Sequence, residues 1–270
     1  MKKKLIRLSM ALFMAMAVLS CGDDDGGGAP VIPPALIKSL SINDDGSVTT
    51  WEFTYDDEDR LVSVDVDEDG FIYTIEYDYS VSGKLTETEI VGSDEYESVF
   101  ILDSEGRIVK ALWDPSVEDD NYDGYEYDDD GYMIRRFYKE DGVEVTTETA
   151  EVDDENITVH TRLDGSNVVR TKTFTYLPSA TALNVSNLPQ ANLRNSERRT
   201  VSGLYGKGSK KLVDFLELDY PGFPDEYVKN SNAYTFDDNN RVLTITRTGV
   251  DKDGNDTGLN EVFTYTYYEE

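Results

Sequence analysis

Cysteine and histidine are nearly absent: the chain has one of each in 270 residues, Cys21 and His160. One of each builds neither a Cys/His zinc centre nor a Cys–His nucleophilic pair. A lone thiol also forms no internal disulfide, and a mature chain of about 250 residues buries enough core to fold without one. G-x-S-x-G, H-E-x-x-H and a glycine loop in the strand–loop–helix setting that cradles phosphate are missing as well. Basic residues are scarce, with 25 Lys plus Arg against 55 Asp plus Glu and a net charge of −30. Such a surface repels nucleic acid and anionic headgroups. From 36 to 176 no stretch holds the 3.6-residue apolar period over the length that a βαβ crossover needs.

What is present begins with a leader. Lys2, Lys3, Lys4 and Arg7 precede a short apolar run from Leu8 to Val18, too short to cross a bilayer. Leu19, Ser20 and Cys21 then resemble a bacterial lipobox, which implies a signal peptide over 1–20, cleavage before Cys21 and a diacylglycerol on its sulfur, holding the protein to a membrane. Removing 1–20 leaves 21 basic against 55 acidic residues, a net charge of −34. Residues 21–35 read as an acidic Gly/Pro tether. Its Asp23, Asp24 and Asp25 look like the surface-export signal of Bacteroidota lipoproteins, which implies the outer face of the outer membrane.

The rest, 36–270, reads as a single antiparallel β domain. Phe53 and Tyr55 alternate with polar residues, Asp56 opens a tight acidic turn, and Arg60 and Leu61 start the return run. The unit recurs around Phe100, Asp103 and Arg107, around Tyr125, Tyr127 and Asp128, and around Tyr234, Asp237 and Arg241. Period-2 spacing broken by turn formers is the mark of a hairpin. Asp-Gly pairs at 45–46, 69–70, 130–131, 141–142 and 164–165 favour the tightest connections. Strands are expected at 36–42, 47–55, 60–67, 71–79, 84–91, 95–102, 107–113, 122–128, 132–139, 143–151, 156–162 and 167–176. Four more follow at 212–218, 232–237, 241–248 and 260–268. The expected fold is all-β: a soluble meander of about sixteen strands in a strongly curved sheet or partly open barrel, with tyrosine hydroxyls near an opening.

An insert at 178–211 breaks the pattern. Between Arg194 and Lys211 it holds six basic residues (Arg194, Arg198, Arg199, Lys207, Lys210 and Lys211) against Glu197 alone. It reads as a binding patch or as an internal cover neutralising acidic strand faces. Trp113, Tyr122 and Tyr125, beside the acidic stretch 114–124, form the other candidate, able to hold a sugar face or a peptide, or else simply to pack in the core. Asp65, Asp67, Asp69 and Glu76 match a calcium-loop spacing, yet on hairpin arms they read first as turn and strand-surface residues, so calcium is the one cofactor left open. His160, next to Thr161 and two residues from Arg162, is expected on the exposed face of its strand.

The hairpin unit, with its aromatic pair, aspartate and arginine, resembles the tyrosine–aspartate repeats of large bacterial shell-forming toxins. Together with Cys21, Asp23 to Asp25 and the segment Leu204–Lys211, it more closely resembles a family of Bacteroides and Prevotella lipoproteins of unknown function with a porin-like antiparallel fold. That resemblance covers most of 36–270 and implies no catalytic residues. The expected function is therefore a non-catalytic surface lipoprotein that binds a glycan or protein. A structural envelope protein and a carboxylate-dependent hydrolase are the alternatives.

Overall fold

The computed structural model describes residues 36–114, 116, 121–178 and 203–268. Cys21, the leader, the tether, Arg194, Arg198 and Arg199 lie outside them. Sixteen strands follow one another: β1 (Ile37–Asp44), β2 (Ser47–Tyr55), β3 (Leu61–Glu68), β4 (Phe71–Asp78), β5 (Lys84–Val91), β6 (Asp94–Leu102), β7 (Ile108–Leu112) and β8 (Tyr122–Tyr127). The second half comprises β9 (Met133–Glu140), β10 (Val143–Asp153), β11 (Asn156–Asp164), β12 (Asn167–Tyr176), β13 (Val213–Asp219), β14 (Val228–Phe236), β15 (Val242–Asp251) and β16 (Asp256–Tyr267). Each strand is antiparallel to the one before it, and β1 pairs with both β2 and β16. The meander of about sixteen antiparallel strands expected from the sequence, which left closure undecided, thus closes into a barrel. Closure pairs the backbone groups that a free edge would expose. Strands β14 and β16 start earlier than expected because pairing with β13 and β15 draws polar residues such as Lys229, Asn230 and Asp256 into the sheet.

Alternation sorts the two faces. Leu40, Phe53, Ile75, Phe100, Tyr125 and Ile245 come from strands right around the ring yet belong to one buried cluster, so they point inward. Glu52, Thr54, Asp65, Asp67, Glu76 and Asp78 alternate with them and face out. Hydroxyl and carboxylate pairs tie neighbouring strands on this outer face: Ser39 with Thr266 at 2.6 Å, Thr235 with Thr244 at 2.7 Å, and Thr74 donating to Asp65 at 2.8 Å. Among the described residues it carries no continuous apolar band of the kind a lipid-facing barrel needs. A compact apolar cluster on it, Leu112, Tyr122 and Phe137, sits under Lys110, Lys139 and Arg135.

The repeated turns share one construction. Asp56 Oδ1 accepts from the backbone N–H groups of Glu58 and Arg60, and its Oδ2 accepts from Arg60 Nε at 2.8 Å. Asp103 with Arg107 and Asp237 with Arg241 repeat the arrangement. Asp128 makes the same backbone bonds to a turn ending in Tyr132, so the turn forms without arginine. The fourth residue of each, Asp59, Gly106, Gly131 or Asn240, has positive φ, which explains why Gly, Asn or Asp stands there.

A sixteen-strand barrel leaves a lumen wider than its wall side chains can fill, and here the chain closes one end itself. Residues 203–212 form a strap past the turns at that end. Ile108 N–H donates to Leu204 O, Lys207 N–H to Gly131 O, Ile157 N–H to Ser209 Oγ and Lys210 N–H to Glu155 O. Tyr205 is fully buried and packs against Tyr125 with ring centroids 5.2 Å apart. Five tyrosines at the ends of even-numbered strands point their hydroxyls at this closed end, not at an opening. Tyr55, Tyr127, Tyr176, Tyr234 and Tyr267 donate to the carbonyls of Ile37, Ile108, Ile157, Val213 and Val242, each at the start of the preceding strand.

Candidate functional site

Above this floor the inner wall changes character. On β11 and β12, His160 stands opposite Lys172 and Arg162 opposite Arg170. All four face the lumen, since Ala150, paired with His160, and Phe174, two residues beyond Lys172, both pack in the interior. Next round the wall, Glu148 lies opposite Arg136. Arg136 reaches Asp123 at 3.2 Å and Glu148 at 3.5 Å, and on β15 and β16 Arg247 reaches Glu261 at 3.1 Å. Among the described residues, Arg162, Arg170 and Lys172 have no ion-pair partner.

Burial, and then the neighbouring Arg170, pushes the Lys172 ammonium down to about 8. Burial likewise lowers His160 against the pull of Glu148, leaving the ring neutral at pH 7. For Glu148 burial pushes the other way, but His160 and Arg136 outweigh it and keep the carboxylate ionised. His160 is 3% exposed, and its Nε2 lies 3.8 Å from Glu148 Oε1, too far for a hydrogen bond. Neither ring nitrogen has a hydrogen-bond partner among the described residues.

At the end away from the strap, aromatics face the lumen and remain exposed: Phe71 by 54%, Tyr96 by 60% and Trp113 by 49%. Trp113 lies against Tyr138, ring centroids 6.2 Å apart, with its Nε1 donating to Asp123 at 3.4 Å. Flat apolar faces along the β4–β9 side of the mouth, beside carboxylates and a guanidinium, can stack on a sugar and hydrogen-bond its hydroxyls. On the outside of the closed end a groove of about 590 Å³ runs between Arg60, Lys84, Glu105 and Leu204. Its charged walls are already engaged, Arg60 with Asp56 and Glu58, and Glu105 with Arg107.

The residues singled out from sequence do not come together. Trp113 is at the open mouth, Tyr125 is inside against the strap, and Tyr122 faces outward beneath Lys110 and Lys139. Lys207 approaches the Tyr132 ring, while Lys210 and Lys211 pair with Glu155 and Asp154 in the β10–β11 turn, so these lysines serve as the cover of acidic turns. Asp65 accepts from Thr74, Asp67 from Gly70 N–H, and Asp69 from Ser47 and Val48 N–H, whereas Glu76 stands opposite Ser63. Among the described residues no three carboxylate, histidine or cysteine groups gather as a metal would require.

His160 is a correction: it is buried and faces inward, not exposed. A bulge makes Val152 oppose Ile157 while Glu151 opposes Val159, so one extra residue on β11 flips the alternation and turns both Ile157 and His160 into the lumen. Arg162, read on the same face as His160, turns inward with it, and Arg170 and Lys172 opposite them were not singled out from the sequence. Their signal was basic residues two apart on adjacent runs, at 160 and 162 and again at 170 and 172.

No family model matches the chain, and no curated protein matches it. Two solved structures are similar in fold. A porin-like protein from Bacteroides uniformis superposes with a TM-score of 0.66 at 14% identity, covering 87% of this chain and 99% of that one. A porin-like protein from Bacteroides vulgatus gives 0.56 at 11% identity, over 87% and 100%. The likeness is one of fold, and it gives the porin-like shape implied by the resemblance counterparts in Bacteroides.

Proposed function

We propose that this chain is a non-catalytic binding module of a bacterial outer surface, held to the outer membrane by a lipid on Cys21, whose barrel receives a saccharide at its open end. The observation that carries the reading is the asymmetry of the barrel. One end is stopped by the strap around Tyr205, and the other presents Phe71, Tyr96 and Trp113 on the lumen side. A polar outer face supports attachment through a lipid, because acids such as Asp65, Asp67 and Glu76 facing hydrocarbon would cost several kcal/mol together.

The test is a glycan and protein-ligand array probed with the full chain in mild detergent, with calcium and with chelator. Saccharide binding that is lost on Trp113→Ala and leaves the saccharide intact supports the reading. Release of shorter fragments from a labelled oligosaccharide, abolished by replacing a carboxylate pair, overturns its non-catalytic part. Selective capture of proteins alone overturns the choice of ligand.

A further inference from the structure

Within that reading, the inner wall of β11 and β12 narrows the class of saccharide. The chain has 55 acidic residues, yet Asp123 and Glu148 beside this wall are taken by Arg136 and Glu261 by Arg247, and Asp164, two residues beyond Arg162 at the mouth, forms no ion pair with it among the described residues. Arg162 and Arg170 sit directly opposite one another, with Lys172 opposite His160 two pairs further down on the same face. Like charges opposite each other in a ladder destabilise it, and a chain this acidic had ample means to neutralise them. Two further groups lack a partner among the described residues: both nitrogens of the buried His160, and Arg136 Nε. Buried donors without acceptors are costly. These donors and cations lie on neighbouring strands of one inward wall, reached from the mouth through the exposed Arg162.

We propose that this wall binds the anionic group of an acidic saccharide, a carboxylate or a sulfate, with Arg162 and Arg170 as the charged clamp, Lys172 as the deeper cation and the buried His160 as a hydrogen-bond donor. Guanidinium pairs suit planar or multi-oxygen anions because each offers parallel N–H groups. The aromatics at the mouth would stack on the sugar ring while the wall takes its charge. The proposal rests on the binding-module reading and adds the sign of the ligand's charge.

Calorimetric titration of the full chain in mild detergent tests it, using three oligosaccharides of equal length: neutral, uronate-bearing and sulfated. Sodium sulfate serves as competitor. A charged oligosaccharide is expected to bind at least about tenfold tighter than the neutral one, and which charged arm binds identifies the anion. Arg170→Gln and Lys172→Met should each weaken it by about tenfold, while Lys110→Met on the outer wall should not. The melting temperature of the Lys172→Met variant establishes that loss of binding is not loss of fold. Tight binding of the neutral oligosaccharide, unchanged in both lumen variants, overturns this inference and leaves the binding module standing. Charged binding that survives both variants overturns it too. If none of the three binds, this inference falls and the array decides the broader reading by itself.

Discussion

Tyr127 donates its hydroxyl to the carbonyl of Ile108, nineteen residues earlier, at 2.7 Å. Ile108 spends its own N–H on Leu204 of the strap, so one residue joins a hairpin, its neighbour and the floor of the barrel. Ile157 repeats the arrangement, with its carbonyl taken by Tyr176 and its N–H by Ser209. The aromatic and the aspartate of the repeat thus have separate tasks. The tyrosine ties strand ends together, and the aspartate shapes the turn that follows. In three copies the turn arginine then lies over a tyrosine ring: Arg60 over Tyr79, Arg107 over Tyr127 and Arg241 over Tyr267.

Removing that hydroxyl should therefore weaken the whole barrel. Tyr127→Phe keeps the ring under Arg107 and loses only the donation, leaving a carbonyl short of its partner. A loss of about 1–2 kcal/mol is expected, read as a lower urea midpoint with an unchanged slope. Tyr96→Phe, whose ring is exposed at the mouth, is the control and should change stability by less than about 0.5 kcal/mol.

The turn aspartates predict a pH dependence. At Asp103 burial raises the carboxyl pKa, but backbone and side-chain hydrogen bonds from Arg107 outweigh it and hold it below the ordinary value. The folded value being the lower one, the carboxylate's contribution is complete above pH of about 4 and disappears as pH falls through the folded value. Asn at 103 can still accept the two backbone N–H bonds but offers no charge to the guanidinium. Asp103→Asn should therefore cost roughly 1–2 kcal/mol at pH 7 and progressively less toward pH 2, measured by urea titrations across that range. A deficit that stays constant with pH would refute the assignment.

The strap has one position that admits no side chain. Gly206 has φ of +77°, and a Cβ there would lie 2.5 Å from the carbonyl oxygen of Gly131 and 2.9 Å from the Tyr127 ring. Gly206→Ala must push the strap off the turn and strain the backbone, at a cost of about 1–3 kcal/mol. Hydrogen exchange should localise the change, with Lys207 and Ile108 amides losing protection before those of β15 and β16. Uniform loss of protection would mean that the strap is not a separate closing element.

How much of this could be read from the chain follows from the range of each interaction. The hairpins were legible because alternation at Phe53 and Tyr55 and the bonds of Asp56 are local. Closure was not, since the pairing of Ile37 with Tyr267 spans the whole domain and no local pattern encodes it. The tyrosine hydroxyls were misplaced at an opening because their acceptors belong to other hairpin units. His160 was misplaced because a single-residue bulge reverses which face a strand presents, and alternation counted through it gives the wrong side. The strap has no periodicity at all; only Gly203 and Gly206, both at positive φ, hinted at its tight course.

The unneutralised wall carries the last prediction. Burial and Arg170 depress Lys172 to about 8 from an ordinary value of 10.5. Below pH 8 the ammonium is charged in both folded and unfolded chains, and the folded state bears the full cost of holding it. Between about 8 and 10.5 the unfolded chain binds more protons, so stability rises with pH and the cost fades. Lys172→Met keeps the length of the side chain while removing the charge. It should stabilise the barrel at pH 7 by something on the order of 1–3 kcal/mol, with the gain shrinking toward pH 10. Urea midpoints of the two proteins at pH 7 and pH 10 decide this, and a destabilised variant at pH 7 would mean that Lys172 has a neutralising partner after all. A stabilising substitution that also weakens binding of an acidic saccharide would show that the wall's charge is kept at the expense of stability for the sake of a ligand.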